Sequence, residues 1–314
     1  MRKTLRVALL TIGVIVAVPA LTLATTSIVN AVATRSEESS IEPYGQRVPV
    51  GGKQMNVVIS GHGGETIVLL PGLGTAAPGL DFQPLIEDLG ATHRVIAVEP
   101  FGTGLSDQTD APRTTANIAR EVHEALRYLG VDRYVLMGHS VAGIYALTYS
   151  AAYADEIVAF VGIDSSVPDQ PGWDDPIPTA AAVALRDLGI TRLLSSIADD
   201  PYAGMPYDEK TKEQMKLLST KNAAAPTMID EMERKPSNFK VVSGMTFPKE
   251  LPVLLFVRAN DIDVEGWAEL HERQAASVDT GTMITVQGDH YLHHTASGTI
   301  AKATEVFLAS LSLR

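Results

Sequence analysis

Three side chains far apart in this sequence have the chemistry to make a hydroxyl attack a carbonyl. Ser140 lies in Gly138-His139-Ser140-Val141-Ala142-Gly143, directly after the apolar run Tyr134–Met137. A serine at the tip of a tight strand-to-helix turn is held in a strained backbone conformation with its hydroxyl exposed above a sheet. The neighbours two before and two after must be small. Gly138 meets this, and Ala142 exceeds the usual glycine by one methyl. A serine hydroxyl is a weak nucleophile without a base, and the base needs an orienting acid. His290, in Gly288-Asp289-His290-Tyr291-Leu292, follows the last apolar run and is the expected base. The expected acid is Asp261, in the loop after Leu251–Val257, nine residues beyond Pro252. Asp263 in the same loop is an alternative. Asp164, at the end of the preceding run, is a third candidate and reads as a loop-capping carboxylate.

The order Ser140, Asp261, His290 is the one a nucleophile-elbow architecture requires. An oxyanion needs two fixed N–H donors, each contributing about 3–4 kcal/mol to the transition state. One is expected from Val141, after the nucleophile. The other is expected from Leu73, in the tight loop Pro71-Gly72-Leu73-Gly74. The cluster His290, His293 and His294 also invites a metal reading. No second ligand cluster accompanies it and the spacing is not a helical His-x-x-x-His pair, so neither a metal nor a cofactor is expected.

These groups must be positioned by a scaffold, and the pattern of runs describes one. Strand-like segments at Met55–Ser60, Thr66–Leu70, Arg94–Val98, Arg133–Met137, Ile157–Ile163, Pro252–Val257 and Met283–Val286 alternate with helix-like segments at Asp81–Leu89, Thr114–Leu129, Ser140–Ala154 and Ile300–Leu311. That alternation predicts an α/β fold, a mostly parallel sheet with helices on both faces, in which loops at the carboxyl ends of strands carry the site. Residues 168–248 contain no strong strand. They read as a helical cap inserted between two strands, within a catalytic domain spanning 47–314.

The amino terminus is different. Arg2, Lys3 and Arg6 precede an uncharged stretch from Val7 to Ala33. Its length favours a retained membrane anchor, about 20 apolar residues being enough to span. A cleavable signal segment ending near Ala31-Val32-Ala33 is the alternative. Either way the basic end stays inside and the catalytic domain lies outside the membrane, with release as a secreted protein if the segment is cut. Residues 1–33 are thus the anchor or signal segment and 34–46 a polar linker. Net charge is −12, and no acidic residue occurs before Glu37, so the remainder is more acidic still. That balance excludes nucleic acid as a partner. The absence of cysteine excludes disulfides and a thiol nucleophile.

Together the loop Pro71–Gly74, the turn Glu99-Pro100-Phe101-Gly102-Thr103-Gly104, the elbow and the two late loops resemble the α/β-hydrolase superfamily, and the whole chain is similar to membrane-anchored members from Gram-positive bacteria. Pro71, Glu99 and Ala142 are small departures from the usual pattern. The resemblance implies a serine hydrolase acting on an ester or related small acyl substrate through an acyl-enzyme. It excludes members that use aspartate at the elbow, such as haloalkane dehalogenases and epoxide hydrolases. An acyltransferase on the same triad, or a ligand-binding module with an idle triad, are the alternatives.

Overall fold

The computed structural model describes the backbone of residues 2–312 and the side chains of residue 11 and residues 15–311. Its strands are β1 (Gln46–Val50), β2 (Lys53–Ser60), β3 (Thr66–Leu70), β4 (Arg94–Glu99), β5 (Tyr134–His139), β6 (Ile157–Ile163), β7 (Val253–Arg258) and β8 (Gly281–Val286). Its helices are α1 (Arg2–Glu38), α2 (Pro78–Asp81), α3 (Gln83–Gly90), α4 (Thr115–Tyr128), α5 (Ala142–Tyr153), α6 (Thr179–Asp187), α7 (Ile190–Ile197), α8 (Glu209–Asn222), α9 (Pro226–Val242), α10 (Trp267–Ala276), α11 (Leu292–Thr295) and α12 (Ser297–Ser312).

The strands form one sheet in the order β1-β2-β4-β3-β5-β6-β7-β8. From β4 to β8 every pairing is parallel, and only β1 and β2 run against their neighbours. Parallel strands need covered faces, and side-chain alternation along each strand supplies two cores. Val68, Leu70, Ile96, Val98, Leu136, Leu255 and Val257 point to the face packed by α4, α5 and α10. Ile67, Leu69, Val95, Ala97, Val135, Met137, Leu254 and Phe256 point to the face packed by α3 and α12. The apolar stripe Ile118, Val122, Ala125 and Leu126 commits α4 to the first of these, and Thr114 caps its start by accepting from Asn117 N–H at 3.2 Å.

The expected parallel α/β fold is present. The hairpin strand β1 was not expected: Arg47 and Pro49 interrupt its apolar pattern, and it exists because β2 offers an antiparallel partner. The linker expected at 34–46 is also corrected, since α1 continues to Glu38 before the chain turns extended at Gln46.

The chain divides into two units. The larger comprises residues 43–177 and 204–314. Within it α8 and α9 are bound to the loops at the carboxyl end of the sheet. Asn222 donates to the carbonyls of Ala76 (2.9 Å) and Gly104 (3.0 Å), and Asp230 accepts from Arg113 N–H at 2.7 Å. The smaller unit comprises residues 1–42 and 178–203, so the helical segment expected as one cap is split between the two. In the smaller unit α6 and α7 form a hairpin hydrogen-bonded to α1. Thr26 Oγ1 donates to Leu188 O at 2.6 Å, Ser27 Oγ to Asp187 O at 2.7 Å, and Asn30 Nδ2 to Arg186 O at 3.0 Å. Gly189 at the hairpin turn has φ of +70°, and a Cβ there would stand 2.4 Å from the carbonyl oxygen of Thr26. Within Ile15–Glu38, α1 contains an 18-residue stretch with a mean hydropathy of 1.8, none of it buried.

Candidate active site

The end of β5 and the start of α5 meet in a turn that only small residues allow. Ser140 has φ of +53°, a left-handed conformation that costs a non-glycine residue of order 1–3 kcal/mol. The neighbouring chain holds it there. Ser140 N–H donates to Ile163 O (3.2 Å), and its carbonyl accepts from Gly143 N–H (3.0 Å) and Ser166 N–H (2.8 Å). The methyl of Ala142 explains the departure from a second glycine. A Cβ on Gly138 would stand 2.9 Å from Ala142 Cβ, so one of these two positions can carry a methyl and the other cannot. Gly143 is tighter: a Cβ there would lie 2.3 Å from Ser166 O.

The structure brings His290 to Ser140. His290 Nε2 lies 2.9 Å from Ser140 Oγ, and its Nδ1 lies 2.7 Å from Asp164 Oδ2. Asp164 sits one residue beyond β6, with φ of +42°, and its own N–H donates to Phe256 O at 2.8 Å. Its other oxygen accepts from Trp267 Nε1 (2.8 Å) and Arg258 N–H (3.1 Å). Burial alone would raise this carboxyl. The bonds from His290, Trp267 and Arg258 outweigh it and hold Asp164 below the usual carboxylate range. Asp164 is fully buried, whereas His290 keeps 32% of its side chain exposed, enough for a substrate to reach the ring.

Asp261, expected to be the acid, is not the partner of His290. Its Oδ2 accepts from Arg258 Nε at 2.7 Å, and its Oδ1 accepts from the N–H groups of Asp263 and Val264, both at 2.8 Å. It therefore closes its own loop, and Asp263 takes a second nitrogen of Arg258 at 2.9 Å. Asp164 takes the place beside His290 that was expected for Asp261. The reason lies in strand order: β6 sits directly between β5 and β7, so the residue that leaves β6 emerges beside the elbow. Chain order could not distinguish the two, because both aspartates lie between Ser140 and His290.

The loop that carries Leu73 is against Ser140. A Cβ on Gly72 would stand 3.0 Å from Ser140 Cβ, and Gly74 turns the chain with φ of +84°. Val141 begins the turn into α5. A small cavity beside this loop is lined by Pro71, Gly72, Phe101, Tyr145, Met228 and Glu231. Tyr145 Oη donates to Glu231 Oε1 at 2.6 Å, and burial pushes the Glu231 carboxyl above its ordinary range. Glu99 fixes the turn that follows β4, accepting from Gly79 N–H (3.0 Å), Leu105 N–H (2.8 Å) and Asn56 Nδ2 (2.9 Å).

Three histidines around His290 were not assigned from sequence. His139, the residue before the nucleophile, is buried, and its Nε2 lies 3.0 Å from the carbonyl of His290. Burial, followed by the neighbouring His293 and His290, keeps its imidazole well below the ordinary range and therefore neutral. His293 and His294 reach the two carboxylate oxygens of Asp81 at 2.7 and 2.9 Å. The three donor atoms of that group lie within 4.8 Å of one another, close enough to hold a metal ion, and the contacts themselves have hydrogen-bond lengths. The repeated His-x-x-His-His spacing was the available signal. What it lacked was Asp81, which comes from the far end of the chain.

Comparison with known proteins agrees with this architecture. A family model described as alpha/beta hydrolase fold matches residues 65–192. The protein YbdG of Bacillus subtilis (strain 168) is 26% identical over 271 residues, which is 82% of this chain and 83% of that protein. Among solved structures, the epoxide hydrolase VrEH1 from Vigna radiata superposes with a TM-score of 0.65 at 17% identity, covering 84% of this chain and 97% of that one. A haloalkane dehalogenase DbeA loop variant from Bradyrhizobium elkanii gives 0.62 at 14% identity, covering 85% and 97%. A fold shared at such low identity says nothing of the substrate. The family match spans the loop Pro71–Gly74, the turn at Ser140 and the strand that leads to Asp164, and the chain has the α/β-hydrolase fold.

Proposed function

We propose that the chain hydrolyses an ester or related acyl bond with Ser140 as nucleophile, His290 as general base and acid, and Asp164 as the orienting carboxylate. The observation that carries this reading is the continuous relay from Ser140 Oγ through both nitrogens of His290 to Asp164. An ionised Asp164 accepts a hydrogen bond, so Nδ1 carries the proton and Nε2 is left as an acceptor for the serine O–H. As Oγ bonds to the substrate carbonyl carbon, its proton passes to Nε2. The carbonyl oxygen becomes an oxyanion, and the amides of Leu73 and Val141 are the donors proposed to hold it. Collapse expels the leaving group with the proton from Nε2. Water, deprotonated by His290, then releases the acid and regenerates Ser140.

A serine nucleophile favours carbonyl substrates on chemical grounds. Attack on a saturated carbon would leave an ether, which water does not release by this route. Attack on a carbonyl leaves an ester, which it does. We read α1 as a membrane anchor with its basic end inside and the catalytic unit outside.

A fluorophosphonate probe tests the nucleophile. It should label the wild-type chain, and labelling should vanish in Ser140→Ala. An unlabelled but folded wild type would refute the assignment. A series of p-nitrophenyl esters, with and without added alcohol acceptors, then separates hydrolysis from acyl transfer.

A further inference from the structure

The smaller unit is built inside out for water. Along α7 the apolar residues Ile190, Leu193, Leu194 and Ile197 fall at i, i+3, i+4 and i+7, the spacing of one helix face. In a soluble protein that face is packed and the polar face is wet. Here the apolar face is not packed. Leu193 and Leu194 are half exposed and Ile197 is 77% exposed. On the polar side Arg192 meets α1, while Thr191, Ser195 and Ser196 are exposed. Arg192 Nε donates to Asn30 Oδ1 at 2.9 Å, and its terminal nitrogens donate to Thr34 Oγ1 (3.0 Å) and Glu37 Oε2 (2.8 Å). Thr26, Asn30, Thr34 and Glu37 thus form a polar stripe on α1 that matches the polar face of the hairpin.

The position of the hairpin along α1 says what covers the apolar face. A span of about 20 residues counted from Val7 ends near Thr26. Thr26 is where the Gly189 turn packs and where the first hairpin bond forms. Beyond it α1 continues for about three turns. The hairpin bonds of Thr26, Ser27, Asn30 and Arg192 lie where the hydrocarbon crossing would end. The residues of α1 on either side of this point, Leu21 and Ile28, are themselves exposed. At the turn Asp187 is paired with Arg186 at 2.8 Å, which suits the headgroup layer rather than the hydrocarbon centre.

We infer that α7 is a second membrane-contacting element, lying at the lipid–water interface with Leu193, Leu194 and Ile197 in the outer leaflet and Arg192 clamping it to the anchor. This rests on the reading of α1 as a membrane anchor. The partner is a lipid surface, bound by apolar burial; among the described residues this face of α7 carries no basic patch.

The chain has no cysteine, so single cysteines report cleanly. The full chain is reconstituted in phosphatidylcholine vesicles, with an NBD fluorophore on Leu194→Cys, Ile197→Cys, Ser195→Cys or Leu21→Cys. Quenching by lipids carrying a doxyl group at a shallow or a deep acyl position then reads depth. Positions 194 and 197 should be quenched by the shallow lipid at least threefold more than position 195, and position 21 by the deep lipid. If 194 and 197 behave like 195 while 21 is quenched, the interfacial helix is wrong and the anchor stands. If 21 is also unquenched, the anchor reading fails with it. Efficient bismaleimide cross-linking between two Ile197→Cys chains would assign the face to a second copy and likewise overturn the proposal.

Discussion

Substitution of the two aspartates separates the roles given to them. In Asp164→Asn the amide can still accept from Trp267 Nε1 and Arg258 N–H, so the loop keeps two of its bonds. The group facing His290 Nδ1 changes from an acceptor to an N–H donor. The imidazole must then carry its proton on Nε2, where it can no longer accept one from Ser140. A wrong tautomer of this kind costs about 10⁴-fold in kcat in a triad enzyme of a different fold, or roughly 5.4 kcal/mol at 1.36 kcal/mol per decade. In Asp261→Asn the amide oxygen can still accept from Asp263 and Val264, and Arg258 keeps Asp164 and Asp263. The loss there is one charged hydrogen bond, about 1.5–3 kcal/mol of stability, with kcat within about tenfold of wild type. The assay is steady-state hydrolysis of a short p-nitrophenyl ester, with circular dichroism to confirm that both variants fold. A folded Asp164→Asn that keeps a tenth of wild-type kcat, beside an Asp261→Asn that loses three decades, would refute the reasoning.

Other outcomes follow from the same geometry. Gly138→Ala should destabilise by about 1–3 kcal/mol through overpacking against Ala142, and Ala142→Gly in that background should recover most of it, as read from urea unfolding of the double-mutant cycle. Asp164 has a depressed pKa, so it supports folding fully above the unfolded value of about 3.9 and loses that support as pH falls through its lower folded value. The stability difference between wild type and Asp164→Asn should therefore shrink from pH 6 to pH 3 in denaturant titrations. Asp81→Ala leaves two buried imidazole N–H groups without an acceptor, at a cost of about 1–3 kcal/mol each. It should also lower kcat by loosening the segment that follows His290, and Asp81→Asn should rescue only part of this. Glu231→Gln should leave the chain equally or more stable at pH 8 than wild type. Burial favours the neutral form of Glu231, whose contribution fades as pH rises through its raised pKa, as thermal unfolding at pH 5 and pH 8 would show.

Much of the molecule could be read from local pattern. The strands at Thr66–Leu70 and Ile157–Ile163 are marked by apolar, β-branched runs between turns, because the residues that fill a doubly covered sheet must be apolar on both sides. The elbow is legible because backbone strain and close packing restrict which residues can flank Ser140. His290 is legible because it follows the last strand, which ends on the side of the sheet that carries Ser140. The partner of His290 was not legible. Asp164 and Asp261 both follow apolar strands, both lie between nucleophile and base, and both occupy polar turns. Choosing between them requires knowing that β6 lies beside β5, which is a relation across the sheet rather than along the chain. The support of His293 and His294 by Asp81 is non-local in the same way, joining residues 212 and 213 positions apart. The direction of α7 is non-local too: its apolar residues stand away from the polar stripe of α1. Covalent neighbours and helical or strand periodicity fix which chemistry the chain carries. Which charge meets which imidazole is decided only when strand order, a collective result of packing, brings distant ends together.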